Sequence, residues 1–84
     1  MIKAYEFLVK VKGDPDEVQE KIDFPFKDWT YWGNEEITFC TTFRGEEWDW
    51  AANDLYNALI DRKVDVRGIT KIRIISYKEY EYVY

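Results

Sequence analysis

Residues 36–62 read EITFCTTFRGEEWDWAANDLYNALIDR, and the hydrophobic period changes within this stretch. Over residues 36–43 apolar and polar side chains alternate, which is typical of a strand with one buried face. From residue 46 to about residue 62 the apolar side chains recur with a period of about 3.6, which is typical of an amphipathic helix. The stretch therefore predicts a strand that is followed directly by a helix.

Before this stretch the sequence predicts a strand, a short helix and a second strand. Residues 2–12 alternate between apolar and charged side chains, as in a half-buried strand. Asp14-Pro15 is suited to the cap and the first position of a helix that runs to about residue 22. Residues 29–32 predict the second strand, and Gly33-Asn34 predicts the turn of a hairpin that joins it to the third.

Residues 69–77 predict the last strand, and the alternation of residues 79–84 either extends that strand or adds a short one. The element order is then strand, helix, strand, strand, helix, strand. This order predicts an α+β fold, a ferredoxin-like βαββαβ sandwich formed by residues 1–84 as a single domain. Right-handed crossovers give a four-stranded antiparallel sheet in the order 4-1-3-2, with both helices on one face.

The composition predicts exposed aromatic rings. The chain has 84 residues, and 19% of them are aromatic. Because a buried ring covers roughly 150–250 Å², this is more aromatic surface than one small core needs. No apolar run is long enough for a membrane span, and no signal peptide opens the chain. Cys40 is the sole cysteine and cannot form an internal disulfide, so the cytoplasm is the expected location.

The residue types argue against catalysis. The chain contains no histidine, the commonest general base and metal ligand. Cys40 lies in the middle of a predicted strand without a neighbouring base that would activate its thiol. The glycines form no phosphate-binding motif, and the acids of residues 14–17 lack the spacing of a calcium loop. We therefore expect a protein that is not an enzyme and that binds no cofactor and no metal.

The charges are distributed unevenly along the chain. Residues 14–54 contain twelve acidic and three basic residues, whereas the remainder contains five acidic and nine basic residues. The predicted topology places the acids on both helices and the hairpin, and the bases on the first and fourth strands. The folded domain is therefore expected to have an asymmetric charge distribution, with an acidic side and a basic side.

Exposed tryptophans are expected beside these acids. Tryptophan and tyrosine are enriched in binding hot spots, and a negative field speeds the encounter with a basic protein. The first hypothesis is therefore a non-enzymatic protein-binding module whose acidic hairpin and second helix dock onto a basic, nucleic-acid-binding partner. The candidate contact residues are Trp32, Glu35, Glu36, Glu46, Glu47, Asp49 and Trp50.

In size, acidity and aromatic content the whole chain is similar to the small inhibitors encoded by phages and mobile elements, including anti-CRISPR and anti-restriction proteins. The resemblance is one of composition and involves no motif. It implies an inhibitor that occupies the nucleic-acid channel of a host protein and presents carboxylates where phosphates would lie.

Three alternatives stay open at this stage. The acidic surface can serve solubility alone. A structural ferredoxin-like domain would self-associate as a homodimer, through open sheet faces or through Tyr80, Tyr82 and Tyr84. An RNA-binding module of the RRM type needs rings on the open faces of strands one and three, where the sequence places Leu8 and Cys40 instead. The net charge of −5 also disfavours direct contact with nucleic acid.

Overall fold

The computed structural model describes residues 2–75, in which the elements follow the predicted order. They are β1 (Lys3–Lys12), α1 (Pro15–Lys21), β2 (Phe26–Gly33), β3 (Glu36–Gly45), α2 (Trp48–Asp61) and β4 (Asp65–Ile75). All neighbouring strands are antiparallel, and their order is β2-β3-β1-β4. The fold is therefore α+β, with a four-stranded antiparallel open sheet and two helices. The observed order is the predicted 4-1-3-2 read from the opposite edge.

The pairing of β1 with β3 decides which side chains enter the core. The register is unbroken over ten pairs, from Lys3 opposite Gly45 to Lys12 opposite Glu36. Alternate residues of both strands therefore face the helices. The buried cluster on that side joins strand residues to residues of both helices, so both helices lie on the same face. Its members are Tyr5, Phe7, Val9, Val11, Val18, Ile22, Ile37, Phe39, Ala51, Leu55, Leu59 and Val64.

The start of α1 has the predicted cap. The Asp14 carboxylate accepts hydrogen bonds from the backbone N–H groups of Asp16, at 2.9 Å, and Glu17, at 3.3 Å. These are two of the donors that a helix leaves without an intrahelical partner. Pro15 occupies the first helical position, as expected. The Gly13 N–H donates to the Glu35 carbonyl at 2.7 Å, which places this end of α1 beside the hairpin turn.

The start of α2 lies close against the end of β3. Trp48 packs on the ring of Tyr5, with centroids 4.4 Å apart, and edge-on against Phe7 at 5.7 Å. A Cβ added at Gly45 would lie 2.8 Å from the backbone nitrogen of Ala51. The close approach of strand and helix therefore requires glycine at this position.

Two strand boundaries and one turn differ from the sequence predictions. β2 begins at Phe26 rather than residue 29, because its pairing with β3 shifts between Lys27 and Thr30 and hides the alternation. β4 begins at Asp65 rather than residue 69, and its register with β1 shifts at two places. The end of the predicted strand 69–77, and the alternating residues 79–84, lie outside the described residues.

The hairpin turn is Asn34-Glu35, not Gly33-Asn34. Both turn residues have positive φ, 52° and 60°, as a two-residue turn of type I′ requires. Gly33 is the last residue of β2, with φ of 91°. The sequence prediction shifted the turn by one residue because glycine and asparagine are both typical of such turns, whereas glutamate is not.

α2 ends in a Schellman motif. The Lys63 N–H donates to the Ile60 carbonyl at 2.9 Å, and the Val64 N–H donates to the Leu59 carbonyl at 3.0 Å. The side chains of Leu59 and Val64 are both buried, as is usual where this motif ends a helix. Lys63 has φ of 60°, the left-handed conformation that glycine usually provides here.

Lys63→Gly is expected to raise the free energy of unfolding by about 0.5–1 kcal/mol, because glycine adopts the left-handed conformation without a Cβ clash. Chemical denaturation measures the gain. Lys63→Ala is the matched control, since it removes the same charge but keeps the Cβ. Equal stability of the two variants would contradict this account of the helix end.

Candidate functional site

β3 separates the predicted contact residues into two groups. Glu35 and Glu36 lie at the hairpin turn, where β3 begins, whereas Glu46 and Glu47 follow its last residue. β3 has ten residues. At about 3.3 Å per residue the two pairs of acids are roughly 30 Å apart. The structure therefore does not bring the seven predicted residues onto one surface.

The larger of the two surfaces is the solvent side of α2. We define the α2 face as Glu46, Glu47, Asp49, Trp50, Asn53 and Asp54, which are all exposed. The Trp50 side chain is 64% exposed and lies near the centre of the solvent-facing arc of the helix. Asp49, Trp50, Asn53 and Asp54 surround a hollow of about 250 Å³. α2 contains no basic residue, so the charged groups of this face are all carboxylates.

Most carboxylates of the α2 face have no counter-charge among residues 2–75. Asp49 forms an ion pair with Lys71 at 3.2 Å. Glu46, Glu47 and Asp54 form no ion pair with any residue between 2 and 75. The first two lie at the helix N-terminus, where the helix dipole stabilises negative charge. These three carboxylates are therefore free to meet an external cation.

The second surface lies at the hairpin end of the open sheet face. Trp32 is 65% exposed, and its Nε1 donates to Thr38 Oγ1 at 2.8 Å. Glu36 is paired with Lys10 at 3.2 Å, and Glu35 is exposed in the turn. Two of the four tryptophans, Trp32 and Trp50, are thus exposed as expected, but they belong to different surfaces.

The open sheet face contains a buried carboxylate that the sequence did not reveal. Glu6 is only 4% exposed. Arg73 Nε donates to its Oε1 at 3.2 Å, and Lys27 Nζ lies 2.9 Å from its Oε2. The second contact is an ion pair, and Glu6 Oε2 has no other polar partner among the described residues.

Glu6 is one of the charged residues in the alternation of residues 2–12, and the charged side of a half-buried strand is expected to be exposed. Lys27 reaches it from β2 and Arg73 reaches it from β4. A buried carboxylate needs such partners, since desolvation without them is costly. Both partners depend on long-range strand pairing, and no local sequence signal could have shown them.

Cys40 is unsuited to nucleophilic chemistry. It is 8% exposed, and burial raises the pKa of its thiol, with a further increase from the carboxylate of Asp28. The thiolate, which is the reactive form, is therefore disfavoured at neutral pH. Among residues 2–75 no three acids or cysteines converge as ligands for a metal ion.

In comparisons with known proteins, no family model, no curated protein and no solved structure matches the chain. No helix of residues 2–75 is long and apolar enough to cross a bilayer. The α2 face and the hairpin end are therefore assigned from the geometry of this chain alone.

Glu6→Gln is expected to lower the pKa of Lys27. The short contact with the Glu6 carboxylate, and then the negative charge of that group, raise the pKa of Lys27 above 10.5. Because the folded-state value is raised, the pair stabilises the fold fully below the unfolded-state pKa and loses this contribution as pH rises through the folded-state pKa. An NMR titration of the lysine side chains measures the pKa of Lys27 as the midpoint of its titration curve.

Glu36→Gln is the control for this titration, because Glu36 contacts Lys10 and not Lys27. It should leave the Lys27 midpoint unchanged. An identical Lys27 midpoint in the wild-type protein and in Glu6→Gln would show that the buried carboxylate does not hold this cation.

Proposed function

We propose that this chain is a small, acidic, non-enzymatic protein-binding module on a ferredoxin-like βαββαβ frame, and that its α2 face docks onto a basic surface of a partner protein. The observation that supports this most strongly is Trp50, a residue that is 64% exposed on the same face as three carboxylates that form no ion pair with any of residues 2–75. Leaving so large an apolar ring in water forfeits the free energy that its burial would contribute. A partner that covers Trp50 would recover it.

The chemistry of the α2 face suits a helix that docks into a groove. Tryptophan is the residue type most often found as a binding anchor, and the surrounding acids would form the charged rim. These acids also create a negative field that steers a basic partner toward the helix. Ring and charge therefore act together, with the field governing the encounter rate and the ring governing the lifetime of the complex.

We propose that the partner is a nucleic-acid-binding protein in the cytoplasm. A groove that binds phosphates is basic, and Glu46, Glu47 and Asp54 offer it carboxylates along one helix. This is the mode of action implied by the resemblance to small phage and mobile-element inhibitors. The raised pKa of the Cys40 thiol and the absence of histidine from the sequence support a binding role over a catalytic one.

Self-association is the second candidate function. Ile72 and Ile74 of the edge strand β4 are 45% and 50% exposed, and they offer apolar contacts to another copy. The register shifts of β4 and its basic residues Lys71 and Arg73 work against edge-to-edge pairing, however. The proposed contribution of Tyr80, Tyr82 and Tyr84 lies outside the described residues.

Trp50→Ala is expected to abolish capture of the partner from a nuclease-treated host lysate by the immobilised protein, because the anchor ring is lost. Trp32→Ala is the matched control, since its ring is equally exposed but lies on the other surface. It should retain capture. Equal capture by both variants would exclude the α2 face as the docking site. Duplex DNA is then added to the captured protein as a competitor. If the DNA does not displace the captured protein, a nucleic-acid-binding partner is excluded.

A second pair of variants tests the charges. Glu46→Gln, Glu47→Gln and Asp54→Asn together should weaken binding of the captured protein at least about ten-fold, as expected for the loss of several rim charges that act together. The matched control is Asp16→Asn, Glu17→Gln and Glu20→Gln on α1, which removes the same charge from exposed, unpaired positions. If both triple variants weaken binding equally, only net charge matters and the α2 face is not specific.

A further inference from the structure

The open sheet face differs in charge from the helical side. The helices and their flanks, residues 14–23 and 46–63, contain ten acidic and three basic residues. Among residues 2–75, the open face carries six basic and four acidic residues. The bases are Lys10, Lys12, Lys27, Arg44, Arg67 and Arg73, and the acids are Glu6, Asp28, Glu36 and Asp65. Because salt screens charges beyond roughly 8–10 Å, a ligand at the open face interacts with the charges of that face rather than with the net charge of the protein.

At the hairpin end the open face contains a hollow of about 360 Å³. We define the sheet-face hollow by its polar lining residues, Lys10, Lys12, Asn34, Glu36 and Arg67. Its volume falls within the roughly 300–1,000 Å³ range of small-molecule sites. Three cations therefore surround a space large enough for a small ligand.

Internal contacts position two of these cations, and the third is free. Lys10 is paired with Glu36 at 3.2 Å, and Arg67 is paired with Asp65 at 2.8 Å. Lys12 lies between Glu36 and Asp65 in the sheet but forms no ion pair with any of residues 2–75. The hollow thus offers Lys12 and the free donors of Arg67 to an anion, while Glu36 can still accept a hydrogen bond.

An aromatic ring lies on the same face as this hollow. Trp32 Nε1 donates to Thr38, and Thr38 is the register partner of Lys10 on the neighbouring strand. Directly paired residues lie about 4.5–5.5 Å apart, so the residue that the indole contacts lies directly beside a lining residue of the hollow. The hydrogen bond fixes the position of the ring, and the residue is 65% exposed.

From this juxtaposition we propose that the sheet-face hollow and Trp32 together bind a nucleotide, a phosphorylated ribose that carries a base. The base stacks on Trp32, as bases stack on exposed aromatic rings in single-strand-binding proteins. The phosphate is bound by Lys12 and Arg67. Glu36 accepts a hydrogen bond from a ribose hydroxyl, a contact that carboxylates make in dinucleotide sites.

Nucleotide binding at this hollow does not depend on the docking of the α2 face. It differs from the expectation, based on the net charge, that the protein makes no direct contact with nucleic acid. It also differs from RRM-type binding. The open faces of β1 and β3 carry Leu8 and Cys40 rather than rings, so the one stacking platform among residues 2–75 of that face is Trp32 at its corner. The footprint is therefore about one nucleotide.

The test is an NMR titration of the 84-residue chain with AMP. The four tryptophans give four indole signals, so each ring reports separately. We expect the Trp32 indole and the Lys12 and Asn34 amides to shift saturably. Ribose 5-phosphate, which lacks the base, and adenosine, which lacks the phosphate, should each bind about ten-fold more weakly. Absence of a saturable Trp32 shift, or equal binding of ribose 5-phosphate, would overturn the proposal.

Lys12→Gln should weaken AMP binding about five-fold, because it removes one charge-assisted hydrogen bond. Lys3→Gln is the matched control: Lys3 is exposed at the opposite end of β1, and its replacement changes net charge equally. It should leave AMP binding unchanged, and an equal loss in both variants would overturn the assignment of the phosphate to Lys12.

Tetra-adenylate identifies the source of the nucleotide. Binding of tetra-adenylate about ten-fold tighter than that of AMP indicates that the natural ligand is an RNA strand, and equal binding indicates a free nucleotide.

Discussion

The unbroken pairing of β1 with β3 is the constraint on which the rest of the structure depends. A shift of one residue would turn every side chain of a strand to the other face, so the buried rings of Phe7 and Phe39 fix the register. Because β3 spans all ten pairs, the hairpin turn and the start of α2 lie at opposite ends of the sheet. The same register places Lys10 and Lys12 on the open face. Both proposed binding surfaces therefore follow from one strand pair.

This arrangement makes net charge a poor guide to the ligands of the domain. The chain carries −5 overall, yet the fold collects the acids of α1 and α2 on one side and leaves most bases of the β1–β4 region on the other. Lys71 is an exception, since it lies on the helix side and pairs with Asp49. Each surface has its own exposed tryptophan, Trp50 on the α2 face and Trp32 beside the sheet-face hollow. The two proposed ligands, a basic protein and a nucleotide, would therefore occupy separate surfaces of one small domain.

Most of the fold was predictable from local sequence signals, and most of the site geometry was not. Strict alternation in β1 and β3, and the cap formed by Asp14, predicted elements that the structure confirms. The start of β2 was missed because a register shift with β3 hides the alternation, and the hairpin turn was missed because Glu35 adopts positive φ, which is unusual for glutamate. The burial of Glu6 and the 30 Å separation of the acids at the two ends of β3, an estimate from strand rise, depend on long-range pairing. Residues 14–54 form one acidic stretch in the sequence, but the ten-residue strand β3 lies within this stretch and separates its acids in space.

Folding separates most of the charges of this domain onto two faces. Relaxation of backbone amides by dissolved nitroxide radicals measures this separation most directly, when a cationic and an anionic radical of equal size are compared residue by residue. We expect the cationic radical to relax the amides of residues 14–23 and 46–61 more strongly, and the anionic radical to relax those of Lys10, Lys12 and Arg67 more strongly. The same preference on both faces would contradict this separation.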